Sequence, residues 1–138
     1  MKFTRLCAAL LLLGAALAHA APPAYLTLDH SSDLLMDPAT AAALWKKSLP
    51  AKLFWLYPEK RWGFVSEVEG GFDDARVCIV TARALMLPRS GKSLIFHPAK
   101  TATTFGSQAG ATSAQCKALA KSKLKEAIDD MSSTLLGS

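Results

Sequence analysis

The chain has 138 residues, 51% of them apolar, with 16 Lys and Arg against 11 Asp and Glu. Its first twenty residues read as an export leader, so the working product is expected to be 118 residues long (20 removed from 138), one domain and not two. Lys2 and Arg5 leave with the leader, and the remaining 14 cations against 11 carboxylates give +3. That charge is too mild for a nucleic-acid surface, and the composition excludes collagen, coiled coil and a disordered chain.

Within the leader, Met1 to Arg5 carries the two positive charges, Leu6 to Leu17 is apolar or small, and Ala18-His19-Ala20 places small residues where a signal peptidase reads them. The apolar run is too short for a bilayer span, which takes about 20 residues. Cleavage after Ala20, a periplasmic or secreted location in a bacterium and no transmembrane anchor are expected. Cys7 stands at the start of the apolar run, where a lipoprotein cysteine would follow it, and is discarded with the leader. Cys78 and Cys116 remain, and an oxidising compartment allows them one pairing. Closing that loop, 116 less 78 or 38 residues, stabilises by about 3 to 4 kcal/mol on the chain-entropy account.

Residues 21–36 are expected to be poorly ordered, with Tyr25 to Asp29 a short edge strand or no element. Asp37-Pro38 is an N-cap followed by proline at the first helical position. Ala41, Leu44, Trp45 and Ser48 then recur at helical spacing until Pro50, which predicts a helix over Pro38 to Ser48. Aromatic and β-branched runs follow: Lys52 to Tyr57, Arg61 to Glu69, Ala75 to Leu87 and Ser93 to His97, with a further piece from Lys100 to Phe105. Their short connections favour antiparallel neighbours. Thr112-Ser113-Ala114-Gln115 is a capping box opening a helix to about Leu135. The expected fold is α+β: a four-stranded antiparallel meander with an N-terminal helix and a long C-terminal helix packed on it, and one disulfide.

Cys116, Leu119, Ala120, Leu124, Ala127, Ile128, Met131 and Leu135 form one apolar stripe on the last helix. Cys78 shares a strand face with Val80, Ala82, Ala84 and Met86, so the disulfide lays the helix across that face. Hairpin parity, with Glu69 opposite Ala75, extends the face to Leu53, Trp55, Trp62, Phe64, Val68, Leu94 and Phe96. The opposite face mixes Phe54, Leu56, Val65, Val77, Ile79, Leu85 and Ile95 with Arg61, Glu67, Glu69, Arg83 and His97.

By those registers Leu56, Arg61, Arg83 and His97 form a cross-strand row, with Glu67, a partner's carboxylate or a bound anion needed between the guanidiniums. The candidate binding residues are therefore Arg61, Glu67, Arg83 and His97. The plainer reading pairs Arg83 with an acidic residue and covers the apolar patch with the first helix through Leu44 and Trp45. Ser90-Gly91-Lys92-Ser93 fails as a phosphate loop, because Met86 stands where the leading glycine belongs. Asp73-Asp74 after Gly70-Gly71 reads as a turn before a cation site with Glu69. Lys117, Lys121 and Lys125 make a basic ridge on the last helix.

No catalytic constellation, metal or cofactor is expected. The first expectation is a small non-catalytic envelope protein that binds another envelope or secreted protein, as an inhibitor or immunity-type protein does. Two alternatives stand: a small periplasmic enzyme using His97 with nearby Arg or Glu, and an envelope assembly accessory touching membrane or cell wall through the basic helix. Sequence leaves the oligomeric state open.

Overall fold

A computed structural model describes residues 24–137. The expected leader from Met1 to Ala20, its cleavage point and the first residues after it lie outside that range. The elements run β1 (Leu26–Asp29), α1 (Pro38–Ser48), α2 (Leu53–Leu56), β2 (Trp62–Phe72), β3 (Val77–Ser90), β4 (Ser93–Leu94), β5 (Lys100–Ala109) and α3 (Ser113–Gly137). The α+β class, the disulfide and the extents of both long helices are as the sequence predicts, but the sheet is mixed and not a pure meander, and α1 lies on the same side of it as α3 instead of covering the opposite face.

Its order is β1-β2-β3-β5, with β1 parallel to β2 and the other neighbours antiparallel. β4 pairs only with Arg89 and Ser90 at the end of β3. The parallel pair is made possible by a crossover from Asp29 to Trp62 that carries α1 and α2. The described part of the segment expected to be poorly ordered, residues 24–36, is thus anchored: β1 aligns Leu26 with Gly63 and Asp29 with Ser66, while Tyr25, Leu35 and Met36 are buried.

The expected strand over Lys52 to Tyr57 is instead the single helical turn α2. Backbone N–H groups of Leu53, Phe54 and Trp55 donate to the carbonyls of Pro50, Ala51 and Lys52. A short apolar run without alternation fits a buried helical turn as well as a strand, and the bend at Pro50 decides for the turn. The expected strand to His97 stops at Leu94, and the piece starting at Lys100 is the full-length fourth partner.

Asp37 caps α1, its carboxylate accepting from the Thr40 N–H at 2.8 Å and the Thr40 hydroxyl at 2.7 Å. Those bonds hold the Asp37 carboxyl below its ordinary pKa, the side-chain bond first. The predicted capping box opens α3: Thr112 Oγ1 accepts from the Gln115 N–H at 3.2 Å and Gln115 Oε1 from the Thr112 N–H at 2.8 Å.

Both helices lie on one side of the sheet. Phe64, fully buried, has Trp45 of α1 stacked on it at 4.9 Å and Tyr25 edge-on at 4.7 Å. Tyr25 also stacks on Phe54 at 4.5 Å and donates its hydroxyl to the Tyr57 carbonyl at 2.6 Å. Burial, with the Glu59 charge adding to it, pushes the Tyr25 phenol up to about 12. The predicted stripe of α3 faces Val68, Val80, Ala82, Ala84 and Met86, and Cys78 and Cys116 are joined with their Cα atoms 5.7 Å apart.

Small residues let α3 come close to β5. Ala102, Thr104 and Gly106 face it; Thr104 Oγ1 donates to the Lys123 carbonyl at 2.7 Å, and a Cβ on Gly106 would stand 2.8 Å from Lys123 Cε. Of the predicted core, Trp55 and Phe96 are exposed, and Leu94 packs on the opposite face against Val65, Leu85 and Leu87.

Candidate functional site

The sheet face turned away from the helices is built by alternate residues of three long strands. β2 and β3 place Glu67 opposite Arg83, Glu69 opposite Thr81 and Gly71 opposite Ile79. β5 continues those rows with Thr103, Phe105 and Ser107. The face is divided. At one end Leu94 folds down on Val65, Leu85 and Leu87. Beyond that cover Phe105 is 70% exposed and Ile79 47% exposed.

Between the covered and open ends sits the Arg83–Glu67 ion pair, Nη1 to Oε2 3.4 Å, with the guanidinium half exposed. An exposed pair of that kind adds little to stability, with a median of about 0 to 1 kcal/mol. It does present a cation, a carboxylate and the Phe105 ring diagonally across neighbouring strands, a spacing at which long side chains touch a common partner.

Of the four predicted binding residues, the structure brings together Glu67 and Arg83 and separates the other two. Arg61 precedes β2, and its carbonyl accepts from the Arg89 N–H at 2.8 Å. It stands six ladder steps from the Glu67–Arg83 rung, about 20 Å away. His97 lies in the exposed loop between β4 and β5, its N–H donating to the Ile95 carbonyl at 2.7 Å, and Thr103 occupies the place beside Arg83 expected for it. Leu56 is on α2. The row of Leu56, Arg61, Arg83 and His97 therefore does not exist. Two of its hairpins were assigned to segments that are a helical turn and a loop.

The first helix does not cover this face either, because Trp45 packs on Phe64 from the other side. Pairing of Arg83 with an acidic residue is as the plainer reading has it. Phe105 was missed as a surface residue. Its signal was the alternation of Ala102, Thr104 and Gly106 with Thr101, Thr103, Phe105 and Ser107, which leaves one aromatic alone on the polar side.

Asp73 forms the β2–β3 turn, its Oδ1 accepting from the Val77 N–H at 2.8 Å. Among the described residues no cluster of His, Cys, Asp and Glu is placed to hold a metal ion. The ridge on α3 is partly neutralised, Lys125 pairing with Asp129 at 2.5 Å and Lys123 with Glu126 at 2.6 Å. Lys117 and Lys121 line an open groove of about 240 Å³ with Leu35, Met36, Asp37 and Thr40. No described helix is long and apolar enough to cross a membrane.

No protein-family model matches the sequence, and no curated protein matches it significantly. Two solved structures share its arrangement loosely. A point variant of the PelC dodecamer from Paraburkholderia phytofirmans matches at 10% identity and TM-score 0.42 over 81% of this chain and 95% of that one. The PelC dodecamer in a second crystal form matches at 12% identity and TM-score 0.42 over 78% and 86%. A likeness of that size carries no argument about function or assembly.

Proposed function

We propose that the chain is exported to the bacterial envelope, loses residues 1–20 and works there as a non-catalytic protein that grips another protein with the outer face of its sheet. The observation that carries this reading is the open half of that face: Phe105 on the edge strand β5 and Ile79 on the central strand β3 are exposed beside the Arg83–Glu67 pair, while both long helices pack on the other side. Aromatic residues and arginine are enriched at protein interfaces, and arginine is among the usual hot-spot residues. The Cys78–Cys116 bond supports an oxidising location.

The test has two parts. Intact-mass measurement on envelope-extracted protein should give a chain beginning at Ala21; a full-length species recovered from cytoplasm overturns export. Capture from the native envelope with the wild-type protein, Phe105→Ala and Arg83→Ala should recover one partner that both variants lose by tenfold or more, about 1.4 kcal/mol, while circular dichroism stays unchanged. Equal capture by all three overturns the outer face as the binding surface.

A further inference from the structure

α2 holds four apolar residues in one turn, and one turn can bury only part of them. Leu53 is fully buried and Phe54 stacks on Tyr25, which leaves Trp55 87% exposed and Leu56 50% exposed. Trp55 is the most exposed of the large apolar residues described, and it is held rigidly: the Tyr57 N–H donates to the Leu53 carbonyl at 2.7 Å, closing the turn.

The charge around this turn is one-sided. Lys46 and Lys47 end α1, Lys52 immediately precedes α2, and Lys60 and Arg61 follow it; all five are exposed. One carboxylate, Glu59, shares the segment from Lys46 to Arg61, and its charge acts on Tyr25 inside. The segment therefore carries +4, five cations less one carboxylate. Residues 21–138 carry +3 in all, so the rest of that chain is net −1. The positive charge of the protein is concentrated in the segment that carries its most exposed tryptophan.

From this juxtaposition we infer that the α2 pole docks on an anionic lipid surface, with Trp55 and Leu56 entering the headgroup region and the lysines lying against the lipid phosphates. The indole ring suits that position because it has an apolar body and a polar N–H edge, and basic residues add electrostatic attraction to anionic headgroups. Two apolar side chains and five cations make a reversible surface contact and not a permanent anchor. The reading is independent of the outer sheet face, which lies on different residues.

The experiment uses protein purified from the envelope, in the processed form that its intact mass shows. It should co-sediment with vesicles of three parts phosphatidylglycerol to seven parts phosphatidylcholine and poorly with phosphatidylcholine alone. Neutralising Lys52 or Lys60 should weaken that binding about fivefold each, and 0.5 M salt should release the protein. Trp55→Ala should weaken it about tenfold. Brominated lipid should quench tryptophan emission in the wild type but not in Trp55→Phe, because the remaining Trp45 and Trp62 pack in the core; this variant keeps an aromatic ring should Trp55→Ala fail to fold. Equal binding to both vesicle types overturns the inference. Phosphatidylglycerol binding that ignores Trp55, Lys52 and Lys60 overturns it too, and puts the contact elsewhere, as at Lys117 and Lys121. A dimer in sedimentation velocity that Trp55→Ala dissociates, or an acidic protein that competes without any vesicle binding, assigns the turn to a protein interface instead.

Discussion

The two faces of the sheet use the same three strands for opposite purposes. Toward the helices β2, β3 and β5 present Phe64, Val68, Val80, Ala82, Ala84 and Thr104, all buried, and a disulfide closes the layer. Away from the helices the same strands present Glu67, Arg83, Phe105 and Ile79 to solvent at one end and a small cluster under Leu94 at the other. One face is thus specified by packing, where every volume change is felt, and the other by what it leaves uncovered.

The comparison breaks most readily at Phe64. Phe64→Ala removes the ring on which Trp45 and Tyr25 both pack and should cost about 3 to 5 kcal/mol in denaturant unfolding. A loss under about 1 kcal/mol would mean that the helical side is not the governing core.

Next in size is the covalent link. Cys116→Ser opens a loop of 38 residues and should cost about 3 to 4 kcal/mol, lowering the thermal midpoint by roughly 12 to 24 °C. Peptide mapping without reduction should recover the Cys78–Cys116 pair.

Tyr25 gives the helical side a signature in pH. Its folded pKa, about 12, stands above the unfolded value near 10, so the fold favours the neutral phenol. That contribution is intact below pH 10 and is lost as pH rises from 10 to about 12, by at most about 3 kcal/mol. Tyr25→Phe should flatten this alkaline decline; an unchanged decline would place its origin elsewhere.

The smallest stability effect should come from the outer face. Phe105→Ser and Ile79→Ser are expected to shift unfolding by no more than about 0.5 kcal/mol, while partner capture falls. A loss comparable to that of Phe64→Ala would make the outer face a second core and remove its claim to be a working surface.

Helices were legible because their signals are local: Asp37-Pro38 and Thr112 to Gln115 mark their own starts, and the apolar stripe of α3 survives intact in the core. Strand faces were legible as well, since parity depends only on odd and even positions. Register was not. Glu69 was expected opposite Ala75 and stands opposite Thr81, a shift of six residues that preserves the faces and changes every partner. The cause is Gly70, which was read as a turn and continues the ladder: at φ +131 its backbone lies so close to β3 that a Cβ would sit 2.0 Å from the Ile79 carbonyl oxygen. The reversal waits until Asp73 to Arg76, where Arg76 takes a φ of 61. The candidate site failed for a related reason. His97 falls in a loop and not on a strand, and the six-residue shift of β2 on β3 takes Arg61 away from Arg83 and brings Glu67 opposite it instead.

The sheet ends very differently at its two margins. β1 is four residues long, too short to template much, whereas β5 runs for ten residues in unbroken register with β3 and carries one charge, Lys100, at its beginning. It has no proline and no bulge, the devices that usually discourage an edge from recruiting another chain. Stored at high concentration or warmed until α3 loosens, the protein should therefore aggregate by strand addition along β5. A lysine in place of Thr103 is the change that would extend its shelf life.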